Sequence, residues 1–332
     1  MPLLPLSAKT ERGPGGEGSL EDSIVIDLDA LVLNSGRVYL DVLFGNVERL
    51  PEPGEELHYD EFAIRAGGAF NTAAGLARLG LATALSADLG ADRFSDFLMD
   101  EIARAGVRTD FVQRVPRPVL AVTVSLSSRS ERRLVSYSDP IPETPLAPAV
   151  LERYRIRHVH LPGYRQASEI IDFVVEAKRR GATVSVDSQS DVGSLTDGNF
   201  GLLVPYLDTL FCNRREARLL AGRDDEAQAA RELARHVGRV VVKLGAEGAL
   251  AAEGDRVVRV PLGIEVDARD TTGAGDAFAA GFLYGTLRGL DLAGALTAGN
   301  LCGAASTTGL GSMAGFPDER ALRGLLAARG IG

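Results

Sequence analysis

Apolar residues follow two rhythms along this chain, and the change between them marks its organisation. Residues 30–34 (Ala-Leu-Val-Leu-Asn) and 37–44 (Arg-Val-Tyr-Leu-Asp-Val-Leu-Phe) are rich in β-forming side chains, and Asn34-Ser-Gly36 separates them, so they predict strands. The turn Leu50-Pro-Glu-Pro-Gly54 closes this group. Residues 56–64 alternate imperfectly, as a strand with one wet face does. Residues 119–126 and 133–137, joined by the charged turn Ser128-Arg-Ser-Glu-Arg132, predict a hairpin of the same kind. Together these segments predict β structure standing apart from the main core.

Elsewhere, short apolar runs at 83–87, 156–161, 183–187, 209–213 and 239–244 are interleaved with helical spacing. Ser168 reads as the cap of a helix whose Ile170, Phe173, Val174 and Ala177 share one face, with Gly181 as its stop. Ala227, Ala230, Leu233, Ala234 and Val237 repeat the pattern. Strand and helix units in series predict an α/β fold, a doubly wound and mostly parallel sheet flanked by helices. Ligands of such sheets gather beyond the carboxyl ends of the strands. That filter selects Asp41, Asp187, Asn213, Gly245 and the loop beginning at Asp270.

A length of 332 residues suits about two units, or one large domain with an appendage. Hydrophobic residues at 45% supply an ordinary core, and a net charge of -9 without a Lys/Arg block argues against a nucleic-acid surface. Cys212 and Cys302 stand alone, and the four histidines (His58, His158, His160, His236) form no HExxH, so a transition-metal site has little support. No apolar run reaches the length of a membrane span. Residues 1–22 lack a signal-peptide pattern and predict a mobile tail, with residues 23–332 as the folded unit. A cytoplasmic enzyme acting on small molecules is the expectation.

The stretch Val266-Asp-Ala-Arg-Asp-Thr-Thr-Gly-Ala-Gly-Asp-Ala-Phe-Ala-Ala-Gly281 carries the most chemistry. A polar, glycine-bearing turn runs into a small-residue helix expected over Ala277–Leu287, so the N–H groups of Gly273, Ala274 and Gly275 converge near a positive helix end. An acid in such a cradle would repel a resting phosphate, and general base catalysis gives Asp276 a reason to be there. A glycine-rich helix start with Asp276 as a charge partner is the plainer alternative.

Asp270-Thr-Thr-Gly-Ala-Gly-Asp276 closely resembles the C-terminal signature of the PfkB (ribokinase-like) carbohydrate kinase family. Gly67-Gly-Ala-Phe-Asn-Thr-Ala-Ala-Gly-Leu-Ala-Arg-Leu-Gly80 resembles its N-terminal signature. Asn213-Arg-Arg-Glu216 is similar to its N-x-x-E motif, and Val241-Val-Lys-Leu-Gly-Ala-Glu-Gly248 to its nucleotide-side strand and turn. The resemblance implies an ATP-dependent sugar kinase acting on a primary hydroxyl. It makes Asp276 the base and Gly273, Ala274 and Gly275 the anion hole. Asp41, Gly67, Gly68 and Asn71 would meet the sugar. Asn213, Lys243, Gly245, Gly248 and Asn300 would lie toward the nucleotide, with Asn213 and Glu216 positioning Mg2+ and phosphates through water. Carbonyls of Asp270, Thr272, Ala304 and Gly309 correspond to a monovalent cation loop for K+. Strands from about 36–66 and 117–138, with Arg37, Tyr39, Tyr59 and Phe62, would form a lid and a homodimer contact.

Plainer readings stand beside these. Asn213 and Glu216 could simply cap a helix, and Asp41 and Lys243 could be solvated. Asp187 reads as structural, and Arg165 as a loop cation able to meet an anionic substrate. The family's Asp-Pro-Asn-x-Arg of some sugar-acid and fructose kinases is replaced here by Asp187-Ser-Gln-Ser-Asp191. A nucleoside kinase stacking a base on Tyr59 and Phe62, and a non-catalytic ligand-binding regulator, remain as alternatives.

Overall fold

A computed structural model describes residues 25–33, 37–128, 132–140, 144–164, 167–188, 198 and 200–332. The expected tail, the Asn34-Ser-Gly36 break, residues 129–131 of the charged turn, Arg165, and residues 189–191 lie outside the described residues.

The valines of Val240–Lys243 are fully buried, as a strand covered on both faces requires. It sits within an eight-stranded sheet ordered Arg256–Val260, Ala249–Glu253, Val240–Lys243, Thr209–Asn213, Thr183–Asp187, His158–Leu161, Ala30–Val32 and Thr83–Leu85. The last six run parallel, and the first two add an antiparallel edge. One apolar core packs helices Ala69–Arg78, Ala274–Leu287 and Leu292–Ser306 on one face, and a second packs Ala167–Arg179 on the other. The fold is therefore the expected α/β arrangement. Helix Ala167–Arg179 buries Ala167, Ile170, Phe173, Val174 and Ala177, the predicted stripe, but it starts before Ser168, which lies in its first turn rather than at its cap.

Polar residues inside this sheet satisfy one another. His158 bonds Thr183 through Nδ1 and Ser185 through Nε2, both at 2.8 Å, and His160 Nδ1 meets the same Ser185 hydroxyl at 2.8 Å. Burial pushes the His158 imidazole down to about 4 and His160 well below the usual range, so both stay neutral at pH 7.

A separate four-stranded sheet is ordered Glu61–Gly68, Val38–Gly45, Ala121–Ser127, Arg132–Ser138. Its first strand differs from expectation: residues 56–60 are not strand, because pairing with Val38–Gly45 begins at Glu61 opposite Gly45. The strand instead runs through Gly67 and Gly68 and passes directly into helix Ala69–Arg78. Asp41, Leu43, Thr123, Ser125 and Ser127 share one face by register, and Val42, Phe44, Val122 and Val124 share the other.

Helices Ala274–Leu287 and Leu292–Ser306 are apolar on all sides and approach closely because of their glycines. A Cβ on Gly281 would sit 2.5 Å from the Ala298 carbonyl oxygen and 2.8 Å from Cys302 Sγ. Gly281→Ala gains about 1 kcal/mol of helix propensity but overpacks the contact, so it is expected to lower stability by roughly 1–3 kcal/mol in urea unfolding. A stabilised variant would contradict this packing.

Candidate active site

Gly273 takes a left-handed conformation, φ 70°, and starts helix Ala274–Leu287 without a side-chain cap. Only glycine fits there, since a Cβ would fall 2.3 Å from Ser312 Cβ and 3.0 Å from Asn71 Nδ2. The amino end of the helix is thus left open to a ligand. Asp276 stands in its first turn, half-buried. Asn71 Nδ2 donates to Asp276 Oδ2 at 2.9 Å, and Ser312 Oγ donates to Asn71 Oδ1 at 2.6 Å. Asn71 therefore orients the carboxylate. Desolvation raises the Asp276 carboxyl above its usual value, with Asn71 and Lys243 pulling the other way.

Across the cleft, Asp41 is buried on Val38–Gly45. Burial first, then the charges of Asp276 and Asp270, push its carboxyl up to about 7, while Arg132 opposes the rise. Gly67 makes room for it: a Cβ there would lie 1.8 Å from Asp41 Oδ2. Gly68, at φ 65°, lets the backbone turn into the next helix, where any Cβ would meet the Arg37 carbonyl at 2.1 Å.

Lys243, at the end of its strand, donates to Asp187 Oδ2 at 2.6 Å in a largely buried pair. Burial would lower the ammonium, but Asp187, Asp276 and Glu216 together hold it above its usual value. Desolvation carries Asp187 to about 7 against the pull of Lys243. The Lys243 Nζ lies 3.2 Å from where a Cβ on Gly275 would be, so one cation touches both the helix cradle and Asp187. Asp187, read from sequence as structural, is the ion-pair partner of Lys243; its strand-end position is the local signal, and its partner lies far along the chain.

Asn213 and Glu216 form a capping box: Asn213 Oδ1 accepts from Glu216 N–H at 2.9 Å, and Glu216 Oε2 accepts from Asn213 N–H at 2.8 Å. Ser188 Oγ also donates to Glu216 Oε2 at 2.9 Å. A cavity of about 700 Å3 opens beside the cradle, and its walls include Lys243, Gly245, Gly248, Ala274, Gly275 and Asn300. The structure thus brings together the residues expected toward the nucleotide, apart from Asn213. Asn300 Nδ2 donates to the carbonyls of Val260 and Pro261, both at 3.2 Å, which holds the loop that Gly248 packs under.

Asp270 is a buried junction. Its Oδ1 accepts from Thr272 N–H at 2.9 Å, Thr272 Oγ1 at 2.6 Å and Ser127 Oγ at 3.2 Å, and its Oδ2 from Gly311 N–H at 2.9 Å. The Ala304 carbonyl, one of the expected cation ligands, already accepts the N–H and hydroxyl of Thr307 at 3.1 and 2.7 Å. Among the described residues no three His, Cys, Asp or Glu side chains gather as a metal cage.

Residues 38–319 match the description "pfkB family carbohydrate kinase". The chain is 33% identical over 308 residues to an ATP-dependent ribose-1-phosphate kinase of Halopiger xanaduensis, covering 90% of this chain and 98% of that protein. Its fold is similar to Arabidopsis thaliana ribokinase complexed with ribose and ATP, with TM-score 0.73, 24% identity, 91% of this chain and 99% of that one. It is also similar to an E. coli structure described as a ribokinase II with ATP and Mg2+, with TM-score 0.76, 18% identity, 91% of this chain and 99% of that one.

The Asp41 carboxyl should titrate near pH 7 by carbon-detected NMR, far above an exposed aspartate. In Asp276→Asn one repelling charge is gone, so the Asp41 midpoint should fall while burial keeps it above the usual value. An unmoved midpoint would show that the two carboxylates do not share a cleft.

Proposed function

The chain belongs to the pfkB family of carbohydrate kinases, and from that premise we propose that it transfers the γ-phosphoryl group of ATP to a primary hydroxyl of a sugar, with Asp276 as general base. The observation that carries this is the carboxylate of Asp276 in the first turn of an uncapped helix, between Asp41 and the 700 Å3 cavity. The acceptor proton passes to Asp276, an acceptor O–P bond forms, and the bond from the γ-phosphorus to the bridging oxygen breaks, releasing ADP. Asn71 fixes Oδ2 and leaves Oδ1 for the acceptor. The raised carboxyl of Asp276 makes it a stronger base than an exposed aspartate. The amides at Gly273, Ala274 and Gly275, with Lys243 beside them, would stabilise charge on the transferring group. Asp41 and the backbone at Gly67 and Gly68, which carries no side chain to block approach, would hold the sugar.

The residues fit a magnesium ion that arrives with nucleotide phosphates better than one held in a protein cage, since few carboxylates are free for it. Glu216 would hold it through water, and bound there it would neutralise polyphosphate charge. A potassium ion would draw on the carbonyls of Asp270, Thr272 and Gly309, with Ala304 already engaged. The buried, free thiols of Cys212 and Cys302 suit the cytoplasm we assign to the protein.

The four-stranded sheet is read as a lid whose inner face carries Asp41. Its outer face exposes Phe62, Ile64, Val135 and Tyr137, with Val135 at 67% and Tyr137 at 57%. An apolar sheet face of this kind is read as the seat of a second copy of the chain. Phe62 lies on this outer face, packed edge-on to Phe44, so it does not offer a nucleoside base a wall inside the cleft. That favours a sugar over a nucleoside acceptor.

Asp276→Asn should lower kcat by roughly 10²–10⁴ in an ADP-release assay with the best acceptor, with the fold unchanged by circular dichroism. Undiminished turnover would remove the carboxylate from the mechanism. Sedimentation should report a dimer that Val135→Asp dissociates, and a wild-type chain that sediments as a monomer at every concentration would refute the lid contact.

A further inference from the structure

The charged turn at the tip of the hairpin has no part in the mechanism above, yet one of its residues faces the cleft. Arg132 opens the edge strand Arg132–Ser138 and pairs with Ser127. Directly opposed residues of an antiparallel pair project to the same face. Ser127 donates to Asp270, and Ser125 and Asp41 share its face, so Arg132 lies on the inner side of the lid. Its charge favours the ionised forms of both Asp41 and Asp276, the two carboxylates between which an acceptor would sit. The inner face between Asp41 and the edge strand is partly polar: Thr123 is opposite Asp41, and Thr123 Oγ1 meets Ser136 Oγ at 3.0 Å, with Leu43 and Leu134 on the same face.

The charge balance of the cleft makes this arginine informative. Asp41, Asp187, Glu216, Asp270 and Asp276 all belong to it, and Lys243 is taken by Asp187. Arg132 is exposed, and no carboxylate among the described residues forms an ion pair with it. A neutral sugar held by Asp41 and the glycine backbone needs no cation on the lid. An acceptor bearing a phosphate would be repelled by so many acids unless a guanidinium met it, and a guanidinium binds phosphate through paired charged hydrogen bonds.

We propose that the acceptor is a sugar phosphate and that Arg132 is the residue that selects it. This rests on the kinase reading given above. The phosphate already on the sugar stays intact against the lid while a free hydroxyl at the other end meets Asp276, and the product is a sugar bisphosphate.

ADP release would be followed with ribose, ribose 1-phosphate, ribose 5-phosphate, fructose, fructose 6-phosphate and gluconate, for the wild type, Arg132→Gln and Arg132→Lys. At least one phosphosugar should exceed its neutral parent in kcat/KM by tenfold or more. Arg132→Gln should reduce that ratio by about 10–100-fold, chiefly through KM, the loss expected for a charged hydrogen-bonding pair, with Arg132→Lys in between. Equal use of phosphosugar and parent, or a ratio unmoved in Arg132→Gln, would overturn the proposal. Preference for gluconate over every phosphosugar would replace phosphate with carboxylate and overturn it as stated. Calorimetric binding of the phosphosugars without ATP separates the two layers of inference. Absent turnover with every acceptor sinks the kinase reading, whereas phosphosugar binding that is no tighter than that of the parents sinks the role of Arg132.

Discussion

The cleft is organised around a cost: several carboxylates have been withdrawn from water and set near one another. Desolvation first, then the charges of neighbouring acids, push Asp41 and Asp187 up to about 7, and desolvation raises Asp276 as well. Three devices offset that cost. Lys243 neutralises Asp187, Asn71 donates to Asp276, and the open amino end of a helix places positive potential beside it. The consequence is chemical, since a carboxylate raised above its usual value takes up a proton more readily than an exposed one.

Geometry supports these devices from several elements. Gly67 leaves room for Asp41 and Gly273 leaves room for Asn71 and Ser312. The close helix pair beneath, seated through Gly281, fixes the direction in which the amino end of the helix points. The buried His158, His160 and Ser185 network sits within the sheet and is satisfied in itself, so those imidazoles serve the scaffold rather than the reaction.

What the chain disclosed before folding depended on how local each signal was. The parallel strands and the helix stripe ending near Gly181 are written in contiguous residues, and the structure places them as those residues predict, whereas the helix after the Asp270 turn begins at Ala274 rather than at the expected Ala277, so Asp276 lies inside its first turn. The strand through Gly67 and Gly68 was read too early, because only pairing with Val38–Gly45 sets its start. Ser312 and Ser188 carry no motif and enter through contacts with Asn71 and Glu216. Asp187 has no partner in its own stretch of sequence, since Lys243 lies 56 residues away on a strand one removed in the sheet, and such proximity cannot be seen in a linear pattern. Asn213 and Glu216 were open between cap and ligand, and the capping box shows that the helix start already engages both.

Asp270 links Ser127 on the four-stranded sheet to Thr272 and Gly311. A tether of this kind would make the two parts answer to one another mechanically. Displacing the sheet would tug on the turn that precedes helix Ala274–Leu287. The same four hydrogen bonds that anchor one buried side chain would thus pass strain from sheet to helix.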